Sequence, residues 1–154
     1  MKSLNQYITE KLKVSKNQNQ YNYWPQTQEE LYDLIRKRIK EEGNNVNLND
    51  INVSNITDMS ELFSWTLFNG DLSNWDVSNV ISMRGIFVGC HKFEGKGLEN
   101  WDVSNVKNMR NMFSLCKKLD CDLSNWDVSN VKDYYNIFFK CPIKDEYKPK
   151  GVTL

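Results

Sequence analysis

Across Trp101-Asp102-Val103-Ser104 apolar and polar residues alternate, and then the period changes: Val106, Met109, Met112 and Phe113 fall at i, i+3, i+6 and i+7. The alternation predicts a short strand with one buried face. The Ser-Asn pair after it favours a turn, because both side chains can bond nearby backbone. The second spacing predicts a short helix or 3₁₀ turn laid against that strand.

The same switch of period occurs four times. LSNWDVSNV stands at Leu72–Val80 and again at Leu123–Val131, LENWDVSNV at Leu98–Val106, and a worn LNDINVSNI at Leu48–Ile56. Trp75, Trp101 and Trp126 are spaced by 26 and 25 residues, with Ile51 in the first unit's place. Each unit then runs to a Phe, at Phe63, Phe87, Phe113 and Phe138; Cys90, Cys116 and Cys141 close the last three and Thr66 the first. A strand and a helical turn of this size cannot bury their apolar sides alone, so successive units must stack on one core. The predicted fold class is therefore an α/β solenoid, a short leucine-rich-repeat-like stack of about four strand-turn-helix coils behind an N-terminal capping helix. Trp75, Trp101, Trp126, Phe87, Phe113 and Phe138 are its expected core.

NWDVSNV followed by Met109, Met112 and Phe113, at Asn100–Phe113, resembles the BspA-like leucine-rich-repeat family of bacterial surface proteins over about Leu48–Cys141. That resemblance implies a solenoid used for binding or display rather than catalysis.

Outside the repeat, Thr27 and Glu30 form a capping box, Leu31, Leu34, Ile35 and Ile39 an apolar stripe, and Gly43 a left-handed stop: a helix over 27–42 placed to cover the first coil. Leu4, Tyr7, Ile8 and Leu12 give a second, smaller amphipathic helix, followed by the polar tether KNQNQ. It can fold back as an extra cap, dock in a groove of another protein, or lie on a membrane surface. The opening KSLNQYI is similar to leaders of bacteriophage virion proteins from gut bacteria, which implies a docking address and other virion or capsid proteins as partners. The chain divides into a docking arm and tether (1–20), a capping-helix region (21–47), the repeat (48–141) and a C-terminal tail or thin cap (142–154).

Charge narrows the partners. Twenty basic and twenty acidic residues balance, which gives no warrant for a nucleic-acid surface. No stretch has membrane-spanning length, and the first residues show no secretion signal. The expectation is a chain made in the bacterial cytoplasm and carried, under the leader resemblance, into a phage particle. A protein partner is expected, no nucleic acid and no membrane, with oligomeric state open. A cytoplasmic adaptor using the repeat face and a carbohydrate-binding or adhesive module are the alternatives.

Candidate chemistry is thin. No phosphate loop, zinc-ligand spacing or hydrolase elbow is present, so no enzyme and no cofactor are expected. In register, Asp76, Asp102 and Asp127 form a possible surface acidic column, a cation or basic-partner site in one reading and a set of turn-shaping acceptors in the other. The three equivalent cysteines read as core filler, a metal site, or a redox pair with Cys121. His91 stands alone.

Overall fold

The computed structural model describes residues 20–152. Its one helix longer than three residues among them is α1, Gln28–Glu42, and two 3₁₀ turns, Leu98–Asn100 and Asp145–Tyr147, complete the regular elements. The strand-turn-helix solenoid predicted from the sequence is therefore corrected. No strand forms among the described residues, only isolated parallel bridges such as Asp58 to Ser82, Ser82 to Asn108 and Asn108 to Asp133. No α-helix forms inside any repeat unit, where the one helical element is the 3₁₀ turn Leu98–Asn100.

The hydrogen bonds show why. Where a strand was expected, Trp75 N–H donates to the Leu72 carbonyl and Val80 N–H to that of Val77, so local turns consume donors that a ladder would need. Asp76 accepts from the backbone and hydroxyl of Ser78, closing the phrase into another turn. Where a helix was expected, Ile86 bonds back to Met83, Val88 to Gly85 and Cys90 to Phe87. These four-residue turns bring apolar side chains to one side at the spacing a helix would use. Positive φ at Glu61, Trp65, Asn111, Leu115, Asn136 and Lys140, and at Gly85 and Gly89, forbids a continuous helix.

Four turn-rich layers result, and between them alternate backbone groups pair. Met59, Glu61, Phe63 and Trp65 donate to the carbonyls of Ser82, Arg84, Ile86 and Val88. Met83, Gly85, Phe87 and Gly89 donate to Asn108, Arg110, Met112 and Ser114, and Met109, Asn111, Phe113 and Leu115 to Asp133, Tyr135, Ile137 and Phe139. Through the core Phe63, Phe87, Phe113 and Phe138 stack in sequence at centroid separations of 5.3, 5.7 and 5.7 Å. Trp75 and Trp101 lie parallel, 6.3 Å apart.

The recurring polar letters bind each layer to the one before. Indole N–H groups of Trp75, Trp101 and Trp126 donate to the carbonyls of Leu48, Leu72 and Leu98. The amides of Asn79, Asn105 and Asn130 donate to the carbonyls of Ser54, Ser78 and Ser104. The phrase is thus a set of buried anchors and interlayer donors.

α1 starts at Thr27, whose hydroxyl accepts from Glu30 N–H, while the Glu30 carboxylate reaches Gln26 N–H one residue outside the expected capping box. Gly43 ends the helix at φ 91 and ψ 174, positive in φ but outside the left-handed helical region. Leu31 and Ile35 point into the core. Buried Arg38 ties the helix to the first layer through both oxygens of Asp50, at 3.0 and 3.2 Å, and also pairs with Glu42. After the fourth layer, Tyr147 accepts from Leu123 N–H, so the tail lies over that layer's Leu123–Trp126 side.

Asp71 ties the second layer to its neighbours. Burial alone would raise its carboxyl, but bonds from Lys96, Ser73 and Asn49 outweigh that and hold it well below the ordinary carboxylate range. Because the folded state favours the ionised form, its contribution is present above the unfolded value near 4 and is lost as pH falls. Asp71→Asn is expected to cost roughly 1–2 kcal/mol at pH 7. The gap to the parent should narrow steadily in urea titrations carried below pH 4; a gap independent of pH would remove the ionised carboxylate from the account.

Candidate interaction edge

The two ends of the layer stack differ. At the first layer the outward carbonyls include Ser60 and Ser64, and α1 meets both: Gln28 Nε2 donates to Ser60 at 2.9 Å and Arg36 Nη2 to Ser64 at 3.1 Å. At the fourth layer the outward groups are the N–H donors of Tyr134, Asn136, Phe138 and Lys140, the counterparts of those that bridge the earlier layers. None has an acceptor among the described residues. The carbonyl of Lys132, counterpart of the Lys107 carbonyl that takes Lys132 and Asp133 N–H, has no donor among the described residues either.

A shallow hollow of about 550 Å³ follows this edge, lined by Lys132, Asp133, Tyr134, Tyr135, Asn136, Phe138 and Phe139. Tyr135 and Phe139 are largely exposed at 58% and 47%. They stand where earlier layers carry Ser60, Arg84 and Arg110, and Ser64, Val88 and Ser114. Arg110 stacks on the Tyr135 ring at 4.6 Å and reaches the Asp133 carboxylate at 3.7 Å. That carboxylate also accepts from Tyr135 N–H.

The residues singled out in the sequence lie elsewhere. Leu4, Tyr7, Ile8 and Leu12 fall outside the described residues. Trp75, Trp101, Trp126, Phe87, Phe113 and Phe138 are all buried. Asp76, Asp102 and Asp127 are exposed, and each accepts from the serine two residues on. The bonds from Ser104 and Ser129 hold the Asp102 and Asp127 carboxyls below their ordinary value. No group of three or more His, Cys, Asp or Glu is placed to hold a metal ion among the described residues.

All four cysteines are free thiols. Cys90 and Cys116 are buried and bonded to the Phe63 and Phe87 carbonyls. Burial pushes Cys90 up to about 11 and Cys121 up to about 12, and raises Cys116 and Cys141 as well, which disfavours the thiolate needed for nucleophilic or redox chemistry. His91 pairs through Nδ1 with the Leu115 carbonyl at 3.0 Å and lies edge-on to Trp65.

Sequence reasoning allows an open edge beyond the last unit but does not place its residues. Its one written signal is the change at the fourth unit, where Tyr134 replaces the methionine of the other three and Tyr135 and Phe139 replace smaller or charged residues. The donors themselves are backbone, and no letter marks them.

Residues 30–148 match the family described as Mycoplasma protein of unknown function, DUF285, and the chain belongs to that family. No curated protein and no solved structure matches it. The resemblance to BspA-like leucine-rich repeats is corrected accordingly: the family matched is a different one, and the units carry neither strand nor α-helix. The bacteriophage and virion setting is withdrawn with it, since the match is to a family described from Mycoplasma.

Proposed function

We propose that this member of the DUF285 family is a non-catalytic protein-interaction module that receives its partner at the open edge of the fourth layer. One observation carries the reading: α1 covers the carbonyl end of the layers, while among the described residues nothing covers the donors and two aromatic rings of Tyr134–Lys140 at the other. Uncovered backbone edges are templates for pairing, and exposed aromatic side chains are enriched where partners bind. The polar letters of the repeat support the non-catalytic part, because their bonds shape turns and join layers.

Affinity capture from a lysate of the source organism tests it, with recovered proteins read by mass spectrometry. The full chain and the 21–154 truncation are expected to hold the same partner. A Tyr135→Ser/Phe139→Ser variant should lose it while its thermal midpoint stays within a few degrees of the parent's, both side chains being exposed. Retention by that variant would move the binding site off this edge, and loss on truncation would move it to the first twenty residues.

A further inference from the structure

We propose that the open edge recognises an acidic, extended peptide segment, its carboxylates seated on the N–H groups of Tyr134, Asn136, Phe138 and Lys140. The inference rests on the interaction reading above and adds the chemistry of the partner. Each interlayer set of four N–H···O bonds runs in one direction, from the earlier layer to the later. Peptide dipoles that would alternate along an ordinary strand therefore point the same way here.

A peptide unit carries a dipole of about 3.5 D, and aligned units leave partial positive charge where the N–H groups end, as at a helix N-terminus. The opposite, carbonyl end is already met by a cation and an amide, Arg36 and Gln28. The N–H end is the counterpart that calls for an anion. Lys132 and Lys140 are exposed at its rim, and the carboxylate within it, Asp133, is engaged by Arg110 and by Tyr135 N–H.

The four outward groups of the Tyr134–Lys140 row are all donors, and this selects among occupants. A second copy approaching with the same edge brings N–H against N–H, and its carbonyl end lies under α1. An ordinary strand edge presents donors as well as acceptors and leaves some of both unmatched. A carboxylate brings only acceptors, about four lone-pair sites on two oxygens, and its bonds to N–H are about twice as strong as neutral ones. Glutamates along an extended segment can meet the row in turn while their aliphatic carbons lie on Tyr135 and Phe139. Two lysines are too few for a nucleic-acid backbone, which is held by neutralising several phosphates.

The test is amide NMR on the full ¹⁵N-labelled chain. In the free protein the amides of Tyr134, Asn136, Phe138 and Lys140 should exchange with solvent rapidly, while those of Met109, Asn111, Phe113 and Leu115 stay protected. A blocked hexaglutamate peptide should shift the four edge amides. A hexaglutamine peptide and a hexathymidine oligonucleotide should leave them in place. The Lys132→Glu/Lys140→Glu variant should bind hexaglutamate at least about fivefold more weakly, as expected for loss of rim charges. Slow exchange of the four amides in the free protein would overturn the open edge and the interaction reading together. Rapid exchange with no response to hexaglutamate, or an equal response to either control, would overturn the acidic chemistry alone.

Discussion

Replacing Trp101 with alanine will lower the stability of the whole layer stack by about 4 kcal/mol, the middle of the range for truncating a buried Trp. Only 4% of Trp101 is exposed. Its ring lies parallel to Trp75 and tilted against Phe87 at 6.1 Å, and its indole N–H occupies the Leu72 carbonyl at 3.2 Å. Alanine forfeits the ring contacts, opens a cavity between layers that each rely on their neighbours, and strips a donor from a buried carbonyl. The loss should appear as a shifted urea midpoint for the entire transition. Trp65→Ala is the control: that ring is 65% exposed, and its removal should cost under about 1 kcal/mol. Equal midpoints for Trp101→Ala and the parent would put the tryptophans outside the core that holds the layers together.

How much of this was legible in the letters depends on where each instruction is written. Thr27, the Leu31 and Ile35 stripe and Gly43 specify α1 through side chains alone, and the helix runs Gln28–Glu42. The recurrent Trp, Val, Met and Phe mark buried positions, which follows from apolar burial whatever the backbone does. The backbone itself was misread. An i, i+3 spacing is shared by a helix and by a run of four-residue turns, and what separates them is the sign of φ at every fourth residue. Gly85 and Gly89 write that sign openly in the second layer; Glu61, Trp65, Leu115 and Lys140 adopt it without advertising it. The alternation at Trp75-Asp76-Val77 is likewise too short to separate a strand from turns closed by Asp76.

The candidate edge was less legible still. It consists of N–H groups every residue owns, made distinctive only because layers one to three use theirs and layer four, among the described residues, does not. A reader of letters sees Tyr135 and Phe139 and has no means of placing them beside unused donors. The same holds for the other end, where Gln28 and Arg36, eight residues apart on α1, read as ordinary polar-face residues. Their role exists only against the carbonyls of Ser60 and Ser64.

Gly97 carries the other large effect, and the sequence gives it no more weight than a loop residue. Gly97→Ala is expected to cost about 3–4 kcal/mol, from two sources that a second variant separates. The residue sits at φ 92, which alone costs a side chain roughly 1–2 kcal/mol. A Cβ there would also meet the backbone of the preceding layer, 2.4 Å from Ser73 Cα and 2.5 Å from Ser73 N. Those atoms belong to the turn closed by Asp71 on Ser73, so they cannot yield as a flexible side chain would. Gly85 also has a positive φ, 59, at a position where the other layers carry Glu61, Asn111 and Asn136, and its Cβ position meets only side-chain atoms, none nearer than 3.3 Å, so Gly85→Ala reports the left-handed cost with little clash. The difference between the two urea stabilities measures the close approach of layers at Gly97, and should be about 2 kcal/mol. Matching losses would mean that the layers part freely at this point; a larger loss at Gly97 makes that glycine the contact that sets the spacing of the second and third layers.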